Sequence, residues 1–463
     1  MLHLTLISIA TIIIVVLALV IWRRTRSISF LLGIGIIYYF TLLGGLIISL
    51  DLLTGNIMQY YGMNYYYLFE KMFPVFLDSD YFMALFFYSF FIILIEITLI
   101  ALLPTKIKKQ NLFNGNDIIF ISHARIIMFS IVFASISFMI TGSYINEALK
   151  SGNSAYILIR YADETIPFYT VHQICIRMAI FVLPFAIATY LSGQDGQYFR
   201  GSNHVSILML YGALSTLLLT YLTLLGNRNE LLTAIITGFL FYIVNKKKIN
   251  RLAIGLLTVG AVGLLGVIGS LRGTSPLELI DLLEPDMFVG GILNAITSNE
   301  IIASHLSLYG ALHFQIPFVF GQSLLSLVAS IIPSILWQNR PPDIYWHYFN
   351  HIDAVPGQGY AIHHATGWYL NFGILGIAVG AIIIGFIWAE CFKRFQRYRW
   401  RQSTISSIFT ILSPWIFIGA LFPLLRGGLE GYKAFIVEHY MIPILLLTWS
   451  IKKSVYRINC SAS

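Results

Sequence analysis

Runs of about twenty apolar residues recur from one end of this chain to the other. A helix of that length crosses the roughly 30 Å hydrocarbon layer of a bilayer. No water is present at that depth to hydrogen-bond a free backbone, so only helices and closed barrels can cross. A barrel would show short alternating segments, and the sequence shows none. Of the 463 residues 57% are hydrophobic and 11% charged, with a mean hydropathy of +0.78. The chain therefore reads as an all-α polytopic membrane protein with no soluble domain of its own.

Hydropathy predicts about eleven transmembrane helices, over residues 4–22, 30–50, 82–103, 121–140, 172–191, 205–225, 231–244, 252–271, 367–388, 405–425 and 435–451. The first lacks a small-residue cleavage site and reads as a retained span, not a signal peptide. Three regions follow: transmembrane helices 1–8 over 1–271, one large loop over 272–366, and transmembrane helices 9–11 with a tail over 367–463. In this layout 19 of the 29 Lys and Arg fall in alternate loops on one side. Positive residues resist translocation, so that side is cytoplasmic. The large loop then faces outward, toward the periplasm or the cell exterior. Stretch 316–336 is also apolar enough to cross. Parity forbids it alone, so either it is re-entrant or 287–312 crosses with it, giving twelve or thirteen helices.

The net charge of +8 follows from the same topology and does not call for nucleic acid. Cys175, Cys391 and Cys460 have no paired spacing, so neither a disulfide framework nor a metal site is expected from them. No glycine-rich phosphate loop faces the cytoplasm, which argues against ATP use.

The large loop collects polar residues that a bilayer rejects, and long loops are more often functional than idle. Arg228, Arg272 and Arg426 stand at predicted outer span ends, and Arg340 lies in the loop. Arginine grips phosphate through two parallel hydrogen bonds, so the four form a candidate polyanion-binding set. The competing reading is that they snorkel to headgroups. His363 and His364 follow a glycine-rich turn just before the ninth span, at the mouth of any outward cavity. Histidine is a common general base near neutral pH; interface packing is the alternative. His347 and His351 share the i, i+4 spacing of a zinc pair, but Tyr348 stands where a zinc protease has Glu, and no metal is expected. Asp78-Ser79-Asp80 has a metal-binding spacing but precedes a span, where Asp and Ser cap helices. Arg125, Arg177 and Glu96 fall within spans, as an ion path or as partnered bundle residues.

Gly321-Gln322-Ser323, the apolar run to Ile332-Pro333, and Trp337-Gln338-Asn339-Arg340-Pro341-Pro342 resemble the loop of Wzy-type oligosaccharide repeat-unit polymerases of bacterial O-antigen and capsule synthesis. Gly367-Trp368-Tyr369-Leu370-Asn371-Phe372-Gly373-Ile374-Leu375-Gly376 resembles the entry to the span that follows that loop. Gly226-Asn227-Arg228 and Ser270-Leu271-Arg272-Gly273 lie where that family also places arginines. The related ligases commonly have Asn after the loop histidine, whereas Ala365 follows His364 here. The resemblance implies a fold like that of the GT-C glycosyltransferases. It also implies a metal- and cofactor-independent glycosyltransferase with two undecaprenyl-diphosphate-linked oligosaccharide substrates, in which Arg228, Arg272, Arg340 and Arg426 hold the pyrophosphate, His363, His364, Glu230 or Asp353 serves as base, and Trp337, Tyr345, Trp346 and Tyr360 stack on sugar rings. The growing glycan moves en bloc to a new unit and undecaprenyl diphosphate leaves. Membrane lipids and a chain-length regulator are the implied partners. An O-antigen ligase of the same superfamily and a lipid-linked oligosaccharide flippase are the alternatives. A flippase would spread its charges along a route through the spans.

This layout is testable with reporter fusions. Fusions after Arg26, Lys248 and Arg401 should read as cytoplasmic and one after Asp353 as external; a cytoplasmic signal at Asp353 would refute the outward loop.

Overall fold

In the computed structural model of the chain, the described residues are 2–54, 77–104, 120–151, 158, 168–192, 203–225, 299–329, 337, 341, 343–352, 361–397, 417–433, 436 and 441–452. They are almost entirely helical. In order they form α1 (Leu2–Thr25), α2 (Ile28–Tyr38), a π-helical turn (Tyr39–Leu43), α3 (Gly44–Thr54), α4 (Ser79–Leu102), α5 (His123–Ser151), α6 (Tyr169–Ser192) and α7 (Asn203–Leu224). Then come α8 (Asn299–His313), α9 (Gln322–Ala329), α10 (Ile344–Phe349), α11 (His364–Arg397), α12 (Phe417–Arg426) and α13 (Ile442–Ser450). A two-residue antiparallel ladder joins β1 (Phe120–Ile121) to β2 (Ile451–Lys452).

Five helices among the described residues are long and apolar enough to cross a membrane, so the protein is built to sit in one. The first shows how packing is chosen in such a solvent. All of α1 is apolar, yet only His3, Ile7, Ala10, Ile14, Ala18, Ile21 and Thr25 are buried. That is a stripe of period about 3.5 carrying two alanines, and small residues let membrane helices approach. Ile12, Val15, Val16 and Leu19 remain exposed, as suits a lipid-facing surface.

The two ends of the bundle differ. At one end Arg24 donates to the Ile100 carbonyl at 2.7 Å, Phe30 stacks on Trp388 at 5.0 Å, and Trp388 meets Phe417 at 5.6 Å. Arg23, Arg26, Lys393 and Arg394 lie in these same helix ends. At the other end His3 donates to the Asp78 carbonyl at 3.1 Å, and His313 approaches both Asp78 and Asp80 to 3.9 Å.

Two elements depart from the hydropathy reading. Helix α8 lies in the region expected to form an external loop, yet every residue from Ile302 to Gly310 is buried. It packs against the π-turn, α3, α4 and α11. Its Ser and His residues depress its hydropathy, but several of them are hydrogen-bonded inside the bundle.

The second departure concerns the ninth span. Where hydropathy predicts one straight helix over 367–388, α11 begins at His364 and breaks at Phe372 and Gly373 (φ +60°). A Cβ on Gly376 would strike the Trp368 carbonyl, and one on Gly380 would strike the Trp368 ring. In a straight helix Trp368 and Gly380 would lie about 18 Å apart. The arm 364–371 therefore folds back against the helix that follows. Stretch 374–397 is still roughly 36 Å long. A hydropathy window of about twenty residues cannot see this turn, because the eight-residue arm is averaged with the strongly apolar stretch that follows it.

Gly376→Ala should destabilise the fold by about 3 kcal/mol, since the new methyl meets a backbone oxygen that has no room to move. Gly35→Ala and Gly212→Ala, where a Cβ meets nothing within 4 Å, should be neutral or gain up to about 1 kcal/mol of helix propensity. Thermal unfolding of the purified protein in detergent separates the two classes; equal melting shifts would refute the folded-back arm.

Candidate functional site

The fold-back carries non-helical backbone into the bundle. The His363 ring packs edge-to-face against Tyr88 at 4.9 Å and Phe91 at 5.7 Å. These are the tenth and thirteenth residues of the 24-residue α4, so His363 sits about halfway along that helix. Ile362 pairs in parallel with Gly427, just past the end of α12, and the Gly428 N–H donates to the Ile362 carbonyl at 2.8 Å. Backbone leaving a helix at this depth must be satisfied by protein, and here two interrupted segments satisfy each other. Gly428 takes a positive φ of 57°, a conformation that glycine adopts without strain.

Three fully buried histidines surround this point. His305 projects from α8 into a notch beside Gly44 and Gly45, where a Cβ on either glycine would crowd its ring. Its Nδ1–H donates to the Thr41 carbonyl, within the π-turn, at 2.6 Å, and Nε2 accepts from the Tyr81 hydroxyl at 3.0 Å. His364 behaves alike. Its Nδ1–H donates to the Gly428 carbonyl at 2.7 Å, and Nε2 accepts from Trp368 Nε1–H and the Tyr432 hydroxyl, each at 3.0 Å. Neither ring has a nitrogen left for a substrate.

His363 is wired the other way. Its Nδ1 accepts from the Ala365 backbone N–H at 3.0 Å, so the ring caps the first turn of α11. A backbone N–H can only donate, so the neutral ring carries its proton on Nε2. That Nε2 has no hydrogen-bond partner among the described residues. Its backbone N–H donates to Ser307 Oγ at 2.9 Å, which also bonds Thr366 Oγ1 at 2.8 Å. The expected position of His363 and His364 at the mouth of an outward cavity is thus corrected: both are buried at mid-depth, because the arm bearing them turns inward.

Asn371 is the second junction. Its Oδ1 accepts from the Gly321 N–H at 3.0 Å and Ser323 Oγ at 2.9 Å, while Nδ2–H donates to the Gly367 carbonyl at 2.7 Å. The Val319 N–H donates to the Leu370 carbonyl at 2.8 Å. The Gly321–Ser323 turn is thereby locked to the arm 364–371.

Of the sequence-derived arginines, Arg426 ends α12 beside the Ile362–Gly427 pair, half-buried. Arg228, Arg272 and Arg340 lie outside the described residues, as do Glu230, Asp353 and Tyr360. Tyr345 and Trp346 meet edge-to-face at 6.0 Å on α10, and Trp346 and Trp337 are exposed. Asp78 is a cap: its Oδ1 accepts from the Tyr81 N–H at 2.8 Å. Its other oxygen joins Asp80 and His313 in a group whose ligand atoms lie within 4.8 Å of one another, the arrangement among the described residues closest to a metal-holding one. His347 Nε2–H donates to the Pro317 carbonyl at 2.9 Å and His351 Nδ1–H to the His347 carbonyl at 2.7 Å, so each ring spends a nitrogen on backbone. Arg125 donates to the Trp449 carbonyl at 2.9 Å. Both Glu96 carboxylate oxygens are buried without a hydrogen-bond partner among the described residues.

Glu430 was not singled out in the sequence, where nothing distinguishes it. It follows Gly428 by two residues and its Oε1 accepts from the Ile344 N–H at 3.1 Å. Burial, with the nearby Asp343 carboxylate adding to it, pushes its pKa up to about 7. The folded pKa lies above the unfolded value, so the protonated form is favoured by folding. That contribution is complete below about pH 4.5 and is lost as pH rises through about 7. Wild-type protein should therefore melt at a higher temperature at pH 5 than at pH 8, by at most about 3 kcal/mol of stability. Glu430→Gln keeps an acceptor for Ile344 and should flatten the profile between those values. An unchanged slope would refute the assignment.

No protein-family model, no curated protein and no solved structure matches the chain.

Proposed function

We infer that the chain is a Wzy-type oligosaccharide repeat-unit polymerase acting on undecaprenyl-diphosphate-linked glycans at the outer face of a bacterial inner membrane. The observation that carries this reading is the Asn371 junction. The two stretches whose residues resemble that family, 321–323 and 367–376, are far apart in sequence, and Asn371 binds one to the other. A shared junction is what a common active-site floor requires.

The reaction balances as follows. A hydroxyl oxygen of the acceptor repeat unit attacks the anomeric carbon of the growing glycan. The bond from that carbon to the diphosphate oxygen breaks, and undecaprenyl diphosphate leaves with the electron pair. Arginine donors aimed at the leaving diphosphate stabilise its charge; Arg426 is placed beside the interrupted helices, and Arg228, Arg272 and Arg340 complete the proposed set. The hydroxyl proton needs a base. His364 has both nitrogens engaged, which leaves carboxylates as the better candidates. Glu430, with a pKa of about 7, is matched to proton transfer near neutral pH and joins Glu230 and Asp353 as a candidate. Aromatics of α10 offer faces for sugar rings.

A second reading, a flippase for the same lipid-linked sugar, is favoured by one observation: interrupted helices that meet at mid-depth are a recurrent transporter feature. The purified protein in proteoliposomes, given synthetic undecaprenyl-diphosphate oligosaccharide, distinguishes them. The polymerase forms longer lipid-linked glycans. Arg272→Ala or Arg228→Ala should lower its rate roughly 10²–10³-fold, the cost of one lost donor to a developing anion. Lys at either position should fall between Ala and wild type, keeping charge but not the two-pronged geometry. Transbilayer movement of the substrate without any lengthening would refute the polymerase and support the flippase.

A further inference from the structure

We propose that His363 is a fixed hydrogen-bond donor that presents Nε2–H to a phosphate oxygen brought into the middle of the bundle. The proposal rests on the polymerase reading for the identity of that phosphate, the diphosphate of the lipid carrier.

Four observations converge. The proton position is forced: Nδ1 accepts from the Ala365 N–H, so the neutral ring can only donate through Nε2. A general base would need a lone pair on Nε2, which this tautomer lacks. The donor is completely buried and has no hydrogen-bond partner among the described residues, whereas His305 and His364 beside it are fully satisfied. A buried donor left unmade is costly, so the fold retains it against a penalty. Finally, His363 caps the eight-residue arm 364–371, whose N-terminus is the positive end of a helix dipole. Negatively charged oxygen is the ligand class that a helix N-terminus and a neutral N–H donor jointly favour. Arg426 is the chain neighbour of Gly427, the backbone partner of Ile362. Tyr88 and Phe91 wall the ring and hold its orientation.

The test uses the full-length protein in nanodiscs. Two substitutions separate the roles. Histidine methylated at Nε2, placed at 363 by genetic code expansion, keeps the Nδ1 cap and removes the donor. His363→Asn keeps an acceptor for Ala365 but places no N–H where Nε2 stands, and it cannot act as a base. Three quantities are measured: the 15N shifts of His363, binding of synthetic undecaprenyl diphosphate, and turnover. The expected result is an Nε2-protonated ring and a ten- to hundredfold loss of binding in both the methylated protein and His363→Asn, as for one charge-assisted hydrogen bond. Equal binding by wild-type and methylated protein would reduce His363 to a helix cap and overturn the proposal. Wild-type binding with lost turnover in both variants, or a proton on Nδ1, would make His363 a base and also overturn it. Failure of the wild-type protein itself to bind undecaprenyl diphosphate would instead defeat the polymerase reading, and with it the diphosphate assignment. A melting temperature for each variant guards against misfolding as the cause.

Discussion

Backbone polar groups have no solvent in hydrocarbon, and the interior of this protein is arranged around that constraint. Chain that leaves a helix at membrane depth must find its hydrogen bonds in other chain. The Ile362–Gly427 pairing meets this requirement with the Gly428 N–H and the Ile362 carbonyl. His364 meets it again at the Gly428 carbonyl. Remove this mutual satisfaction and neither the folded-back arm of α11 nor the loop after α12 could stay in the bundle.

Other features follow from keeping these interrupted segments dry. Helix α8 is drawn inside because its Ser304, His305 and Ser307 meet Tyr81, Tyr88, the π-turn and the arm's first residues. The glycines of 44–45, 376 and 380 are needed where ring or backbone comes too close for a Cβ. Polar networks in an apolar interior are high-stakes: fully paired they fix one geometry, and an unpaired member is conspicuous. Among the three central histidines, one is conspicuous in this way. The same reasoning separates residues that share a type. His363 and His364 are adjacent in sequence and both buried, yet one presents a free donor and the other ties two segments together.

The chemistry proposed here needs positive charge for a leaving diphosphate, a proton acceptor and a surface for sugars. Arg426, Glu430 and the α10 aromatics supply candidates on the side of the bundle where the two interruptions meet. Arg426 and Glu430 lie four residues apart just where α12 ends, and the α10 aromatics join them from about eighty residues earlier, through the Ile344 N–H that Glu430 accepts.

Membrane embedding, helical class and the positions of most described helices are legible in the sequence. Twenty-residue apolar runs in hydrocarbon have almost no alternative, and Asp78 could be read as a cap from its place before a span. The joining of 321–323 to 367–376 through Asn371 was not visible there, since hydrogen bonds across fifty residues leave no local signal. Hydropathy could not find the turn at Phe372–Gly373, because the arm before it is only eight residues long and a window of span length averages it with the apolar stretch that follows. It left α8 open, as external loop or as part of a crossing stretch 287–312, because its polar residues lower its score while the fold satisfies them. Residue type suggested histidine chemistry at 363 and 364. Which nitrogen of each ring holds the proton is set by a backbone N–H on one and a backbone carbonyl on the other, and only the tertiary structure decides that.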